Sequence, residues 1–303
     1  MSNADQLLPE GLRSRLGLPE RPAWRPYLLG IVNATPDSFS DTPGEKTVSD
    51  RVELAKRLLA EGADIIDVGG ESGVTNKPQV AADEEIRRVV PVIEAIRAET
   101  GAPISIDTYK PQVARAALQA GAGLVNDVSG LADDDLAKAA AEHDAAIVLM
   151  HTRARPKQKL FPHYADVVAD VKNFLADAVA RATAQGVDLE KIILDPGPDF
   201  AKTPAQTIET LTRLPEIQQL GRPLLLAIGR KDFIGALTER GPREREAGTL
   251  AALGAAADHR AAIVRLHDVA AADDYLKVRA ALRGEYAPQA DLELPEELRR
   301  TRA

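Results

Sequence analysis

The chain has 303 residues, 45% of them hydrophobic and 28% charged, with a formal net charge of −8 and no cysteine. That balance suits one globular domain with a large core, and it excludes disulfides, zinc–thiolate sites and thiol nucleophiles. The acidic charge argues against a nucleic-acid or membrane-surface binder; with no apolar run near the ~20 residues that span a bilayer and no signal-peptide pattern at the start, a cytoplasmic protein is expected.

Residues 1–25, punctuated by Pro9, Pro19 and Pro22, read as an N-terminal extension. Eight short apolar, β-branched runs follow, each closing on polar residues. YLLGIVN ends at Asn33, DIIDVGGE at Glu71 and APISIDT at Asp107 and Thr108, while GLVNDVSG contains Asn126 and Asp127. AAIVLMH ends at His151, KIILDPG at Asp195, PLLLAIGRK at Lys231, and AIVRLHD at Arg265, His267 and Asp268. Each run is too short for a helix, and helical periodicity follows each one, the pattern of parallel strands covered on both faces. In VSDRVELAKRLLAEG, Val52, Ala55, Leu58 and Leu59 share a stripe ended by Gly62; in TYKPQVARAALQAGAG, Pro111 opens the helix and Gly121 follows it.

Eight strand–helix units predict a single α/β domain over 26–284, a closed (β/α)₈ barrel, with a tail over 285–303. An open doubly wound sheet is the alternative, disfavoured because no GxGxxG turn follows the first run. In such a barrel the C-terminal strand ends gather at one mouth, so Asn33, Asp107, Asn126, Asp195, Lys231, Arg265 and His267 are expected to meet there. Taken singly, an Asp or Asn at a strand end is most often a turn former or cap, and His267 alone is as readily a structural histidine. Taken together, two acids closing apolar runs call for a partner rich in N–H donors, and a flat heterocycle with amino and ring N–H groups would satisfy them with Asn126. Lys231, Arg265 and His267 on runs seven and eight would suit phosphate.

The five histidines show no HxxxH or HExxH spacing, and neither a GxSxG elbow nor a GxxxxGK[ST] loop occurs. Magnesium needs fewer protein ligands, and Asn33 in NATPDSFSD is a candidate oxygen donor for Mg²⁺.

These motifs carry a resemblance. GIVNATPDSFSD (30–41), DIIDVGGES (64–72), ISIDTYK (104–110), LVNDVSG (124–130), IVLMH (147–151), IILDPG (192–197), GRKDFIG (229–235) and IVRLHDV (263–269) run in order through the barrel, and the chain resembles the dihydropteroate synthases. The resemblance implies a transferase of folate synthesis that joins 6-hydroxymethyl-7,8-dihydropterin diphosphate to 4-aminobenzoate and releases diphosphate. It implies that Asp107, Asn126, Asp195 and Lys231 hold the pterin, Arg265 and His267 the diphosphate, and Asn33 the Mg²⁺, with Asp107, Lys231 and Arg265 as the catalytic set. Phe200 and the residue at 232 belong to the implied substrate surface, and a homodimer is implied too. The Ala-rich segment GTLAALGAAAD (248–258) is read either as a subunit interface or as an internally packed helix. Two alternatives are a pterin-dependent methyltransferase acting on a corrinoid protein and a non-catalytic pterin-binding homologue.

Three segments depart from the family's pattern. ESGVTN (71–76) replaces ESTRPG and loses a Thr-Arg pair at Gly73 and Val74; DPGPDFAKT (195–203) replaces DPGIGFGKT; and Asp232 stands where a serine helps bind the aminobenzoate carboxylate. Asp232 is expected to cap the helix FIGALTER, which stabilises by about 1 kcal/mol. Two like charges ~4 Å apart cost roughly 4 kcal/mol at an effective dielectric near 20, and the lost arginine removes a bond of about 1.5–3 kcal/mol. The expectation is an acceptor other than 4-aminobenzoate, or weak binding of it, with Lys77 or a rotated Arg230 compensating in part.

Overall fold

All eight apolar runs form strands in the computed structural model, which describes residues 7–35, 47–73 and 78–299. The strands are β1 (Tyr27–Asn33), β2 (Ile65–Gly69), β3 (Ile104–Asp107), β4 (Leu124–Asp127), β5 (Ala146–Met150), β6 (Ile192–Asp195), β7 (Leu225–Ala227) and β8 (Ile263–Leu266). All are parallel, in the spatial order β6-β5-β4-β3-β2-β1-β8-β7. A parallel bridge between Leu194 and Leu224 joins the two ends, so the sheet closes into the expected (β/α)₈ barrel.

Eleven α-helices occur among the described residues. They are α1 (Glu10–Leu16), α2 (Val48–Ala60), α3 (Ala82–Thr100), α4 (Pro111–Gln119), α5 (Asp134–Glu142), α6 (Val167–Ala184), α7 (Pro204–Thr212), α8 (Leu214–Gln218), α9 (Asp232–Thr238), α10 (Glu246–Asp258) and α11 (Val269–Leu282). Helix boundaries follow local chemistry. Thr47 caps α2 through a capping box with Asp50, Thr203 and Gln206 do the same for α7, and Pro111 opens α4 where no amide donor is needed. The stripe read from the sequence of α2 is the one that turns inward, with Val52, Ala55 and Leu58 buried and Leu59 packed against that core.

Side chains alternate across each strand, and this divides the core in two. Ile66, Val68, Ile106, Val125, Ile147, Leu149, Leu194, Val264 and Leu266 face the helices. Tyr27, Leu29, Ile65, Leu124, Val148, Ile193, Leu225 and Ile263 face the barrel axis. Asn33, Asp67, Asp107, Asn126, Asp195 and Arg265 share the parity of the axial set, so the pleat itself turns them toward the interior at the strands' C-terminal ends.

The segment read as an N-terminal extension closes the opposite end. Leu8, Leu12, Leu16 and Leu18 are buried in the same axial cluster, because the ring of strands leaves an apolar floor that has to be covered. Asp64, wholly buried, anchors this end: it accepts from Arg25 Nη1 at 2.8 Å, Arg21 Nε at 2.9 Å and the Leu28 amide at 2.8 Å. No helix of the described residues is long and apolar enough to cross a membrane. Two glycines of α10 pack internally: a Cβ at Gly254 would collide with the Tyr275 hydroxyl of α11, and one at Gly248 with Ile234 of α9, while Ala247, Ala251 and Ala255 of the same helix are exposed.

Candidate active site

The polar strand ends form one electrostatic unit. Asp107 and Asn126 are register partners on β3 and β4. Arg265, from β8, reaches across the axis, donating Nε to Asp67 at 2.6 Å and Nη2 to Asp107 at 2.8 Å. Asn126 donates Nδ2 to the same Asp67 oxygen at 3.4 Å. Asp195 ends β6 and accepts from the Gly197 amide at 2.7 Å. Lys231, just before α9, lies with Nζ 4.5 Å from the centre of the half-buried Phe200 ring. His267 follows β8 and packs under the β7–α9 turn, where a Cβ on Gly229 would lie 2.9 Å from its Nδ1.

Burial dominates the acid–base properties of this cluster. It pushes Asp107 up to about 7, against the pull of Arg265 and with help from the negative charges of Asp67 and Glu85. It pushes Asp195 up to about 6 despite the Gly197 amide, Lys231, Lys202 and Arg265. Burial lowers Lys231, with Asp199 and Asp195 opposing it. Arg265, whose neighbours Asp67 and Asp107 outweigh its desolvation, stays charged. The mouth therefore holds acids poised to ionise near neutrality around one fixed cation.

The sequence presents the cations and the acids as two separate sets. The structure joins them: Arg265 is spent partly on Asp67 and Asp107, and only its remaining N–H edge is left for a phosphate. Asp67 was missed, although its parity within DIIDVGGE marks it as axial. It is wholly buried, and its second oxygen has no hydrogen-bond partner among the described residues. A second missed group lies below Asp195. Lys202, 1% exposed, donates to the Gly197 and Phe200 carbonyls at 3.0 and 3.2 Å and meets His151 Nδ1 at 2.7 Å. Burial lowers Lys202 to about 7 and His151 to about 3, the latter helped down by Lys202 and opposed by Asp170. Gly197 itself sits at φ +67°, and a Cβ there would run into the His151 carbonyl.

A third missed cluster ties the loops after β2, β3 and β5. Glu71 accepts from Lys110 Nζ at 2.6 Å, the Tyr109 hydroxyl at 3.0 Å and the Val80 amide at 2.9 Å, and Lys157 lies 3.1 Å from it. Asn33 ends β1 half-buried, in register with Gly69. Among the described residues no group of three or more His, Cys, Asp or Glu could hold a metal. Residues 36–41 of NATPDSFSD, together with residues 74–77, lie outside the described residues.

The comparisons agree with this geometry. The model of the pterin binding enzyme family matches residues 29–267. A dihydropteroate synthase of Synechocystis is 44% identical over 261 residues, covering 85% of this chain and 90% of its own. That of Escherichia coli K12 is 41% identical over 245 residues, covering 80% and 87%. The chain belongs to the dihydropteroate synthase family. Among solved structures, the Xanthomonas albilineans enzyme with 4-aminobenzoic acid matches with a TM-score of 0.81 at 44% identity, over 87% of this chain and 95% of its own. The same enzyme in complex with 7,8-dihydropteroate matches with a TM-score of 0.77. Transferase chemistry in folate synthesis comes with membership at this level of identity, and the corrinoid methyltransferase alternative is set aside.

Two of the departures from the family pattern turn out to touch each other. Asp232 does not cap α9: it is the first residue of that helix, its side chain is 72% exposed, and it pairs with Arg245 Nη1 at 2.9 Å. The carboxylate at the helix start belongs to Asp199 of the altered DPGPDF loop, which accepts from the amides of Asp232 at 2.5 Å and Phe233 at 3.3 Å. A carboxylate already paired and exposed repels a second anion far less than the roughly 4 kcal/mol expected of a bare contact. Arg230 is turned to Glu246, with Nε 3.4 Å from its carboxylate.

Proposed function

We propose that this mouth condenses 6-hydroxymethyl-7,8-dihydropterin diphosphate with an arylamine, 4-aminobenzoate first among them, and releases diphosphate. The observation that carries the reading is the meeting of Asp107, Asn126, Asp195, Lys231 and Arg265 on one rim, with Asn126 and Asp195 buried and the other three half-buried. Asp107 and Asp195 would accept from the amino and ring N–H groups of the pterin, with Asn126 between donor and acceptor roles and Lys231 on the carbonyl edge. As the methylene C–O bond breaks, its electron pair leaves with diphosphate and positive character spreads into the ring. Ionised Asp107 and Asp195 stabilise that charge, and the free edge of Arg265 with His267 stabilises the departing phosphate. The amine nitrogen then forms the new C–N bond and releases a proton to solvent, so no strong base is needed. Phe200 offers the incoming aryl ring a flat face beside Lys231.

Asn33 supplies one neutral oxygen, which fits an Mg²⁺ held mainly by waters and the diphosphate and does not fit a protein-built cage. When bound, the ion would neutralise charge on the leaving group. A homodimer and a cytoplasmic location belong to the same reading, on the family resemblance. Diphosphate release from the pterin substrate, with and without 4-aminobenzoate, tests it. Amine-dependent release that falls at least about 100-fold in Asp195→Asn supports the reading; tight pterin binding with no release for any amine would instead make the chain a non-catalytic homologue.

A further inference from the structure

We infer that Asp199 is a specificity-determining residue, an internal carboxylate that a carboxylate-bearing acceptor has to displace. The inference rests on the condensation proposed above and names what that site selects. Four hydrogen bonds seat the side chain and its own amide. Oδ2 takes the amides of Asp232 and Phe233 at 2.5 and 3.3 Å, Oδ1 accepts from Thr207 Oγ1 at 3.2 Å, and the Asp199 amide donates to Thr207 Oγ1 at 3.1 Å. The contact spans 33 residues of sequence and locks the β6–α7 loop onto the start of α9.

The position of this carboxylate gives it a role in selection. Asp195 and Lys231, which end β6 and precede α9, flank the inferred ring site, and the chain running outward from them forms the two walls bearing Asp199 and Asp232. Phe200, next to Asp199, presents its ring beside Lys231. An arylamine whose nitrogen meets the pterin methylene and whose ring lies along Phe200 directs its far substituent outward, between those walls. The amide donors at that outer end are those of residues 232 and 233, and a carboxylate of the chain already holds them. Lys231 is the cation that faces Asp199, and two further charges are matched to each other: Arg245 donates Nη1 both to Asp232 at 2.9 Å and to the Arg230 carbonyl at 3.0 Å. A neutral far substituent meets no penalty there. An anionic one must either expel Asp199 or sit against it.

Asp199 also has a left-handed backbone, φ +68°, which suits glycine better than aspartate. Replacing it with glycine thus removes the carboxylate and relieves the backbone together, while Asp199→Asn removes the charge and keeps the shape. The test measures kcat/KM for 4-aminobenzoate and for 4-aminobenzamide with the parent and both variants at saturating pterin diphosphate. The ratio of the two amines should shift toward 4-aminobenzoate by about tenfold in each variant, the low end of what a like charge at contact distance costs once solvent screens it. A ratio unchanged within twofold, or shifted the other way, overturns the inference. If no protein turns over either amine, the condensation reading fails by itself. Equilibrium titration of 4-aminobenzoate then still decides the role of Asp199: binding about tenfold tighter to the variants supports it, and equal binding overturns it.

Discussion

Replacing Arg265 with methionine tests whether the mouth is held by one cation shared between two acids. The substitution keeps most of the volume and removes the Nε bond to Asp67 at 2.6 Å and the Nη2 bond to Asp107 at 2.8 Å. Asp67, wholly buried, is left with the Asn126 amide at 3.4 Å, and one of its oxygens already lacks a partner among the described residues. Removing one member of a buried charge group costs about 3–5 kcal/mol, because the other members stay behind uncompensated. The cheapest relief is a proton on the carboxylate pair. In the parent, burial has already raised Asp107 from its ordinary value to about 7. A raised folded-state value contributes stability that is complete below the unfolded value and is lost as pH rises through about 7, so this term is flat above that point. In the variant Arg265 no longer pulls the value down, and the loss continues to higher pH, at ~1.4 kcal/mol per pH unit for each proton retained. Urea unfolding at pH 7, 8 and 9 should therefore show a deficit of about 3–5 kcal/mol that widens with pH. Adding Asp67→Asn should recover at least half of it. A deficit below about 1 kcal/mol, or one constant across this range, would refute the shared-cation account.

Other outcomes follow from the same contacts. Ionised carboxylates accept from a pterin's N–H groups and protonated ones do so poorly, so affinity for 6-hydroxymethylpterin by calorimetry should rise with pH through the values of about 6 for Asp195 and about 7 for Asp107; a flat or falling profile between pH 5 and 8 contradicts this. Lys202, lowered to about 7, contributes stability that is present above its unfolded value near 10.5 and is lost as pH falls toward 7. The stability of the parent should thus climb from pH 7 to 10, and Lys202→Met should flatten that slope by one proton's share, up to ~1.4 kcal/mol per unit. At the floor of the barrel, Leu12→Ala should cost about 2–5 kcal/mol by denaturation while leaving turnover at the distant mouth unchanged.

The barrel was legible because every strand is covered on both faces and so appears as an unbroken apolar run ending in polar residues. Strand-end residues such as Asp107, Asn126 and Asp195 were legible for the same reason: a charge or amide that closes a buried run must have a purpose or a partner. Asp67 was hidden by lying inside its run, although counting by two from Ile65 assigns it to the axis. The role of Asp199 was not legible. Its partners lie on another loop, and local reading gave Asp232 the cap simply because it is the acid nearest the helix. The role of Lys202 was not legible either, since only the fold brings it under Gly197 and against His151. The proline-rich first residues looked like an appendage; Leu8, Leu12 and Leu16 recur at helical spacing, and what they cover is the far end of the barrel, which no local pattern announces.

The central claim is that one rim of acids, an amide and two cations receives a pterin. A crystal structure of the protein soaked with 6-hydroxymethyl-7,8-dihydropterin diphosphate and Mg²⁺ tests it most directly. The account predicts density for the bicyclic ring against Asp107, Asn126, Asp195 and Lys231, with the diphosphate toward Arg265, His267 and Asn33. Ring density elsewhere on the molecule, or a ring bound at the mouth without contact to either aspartate, would contradict it.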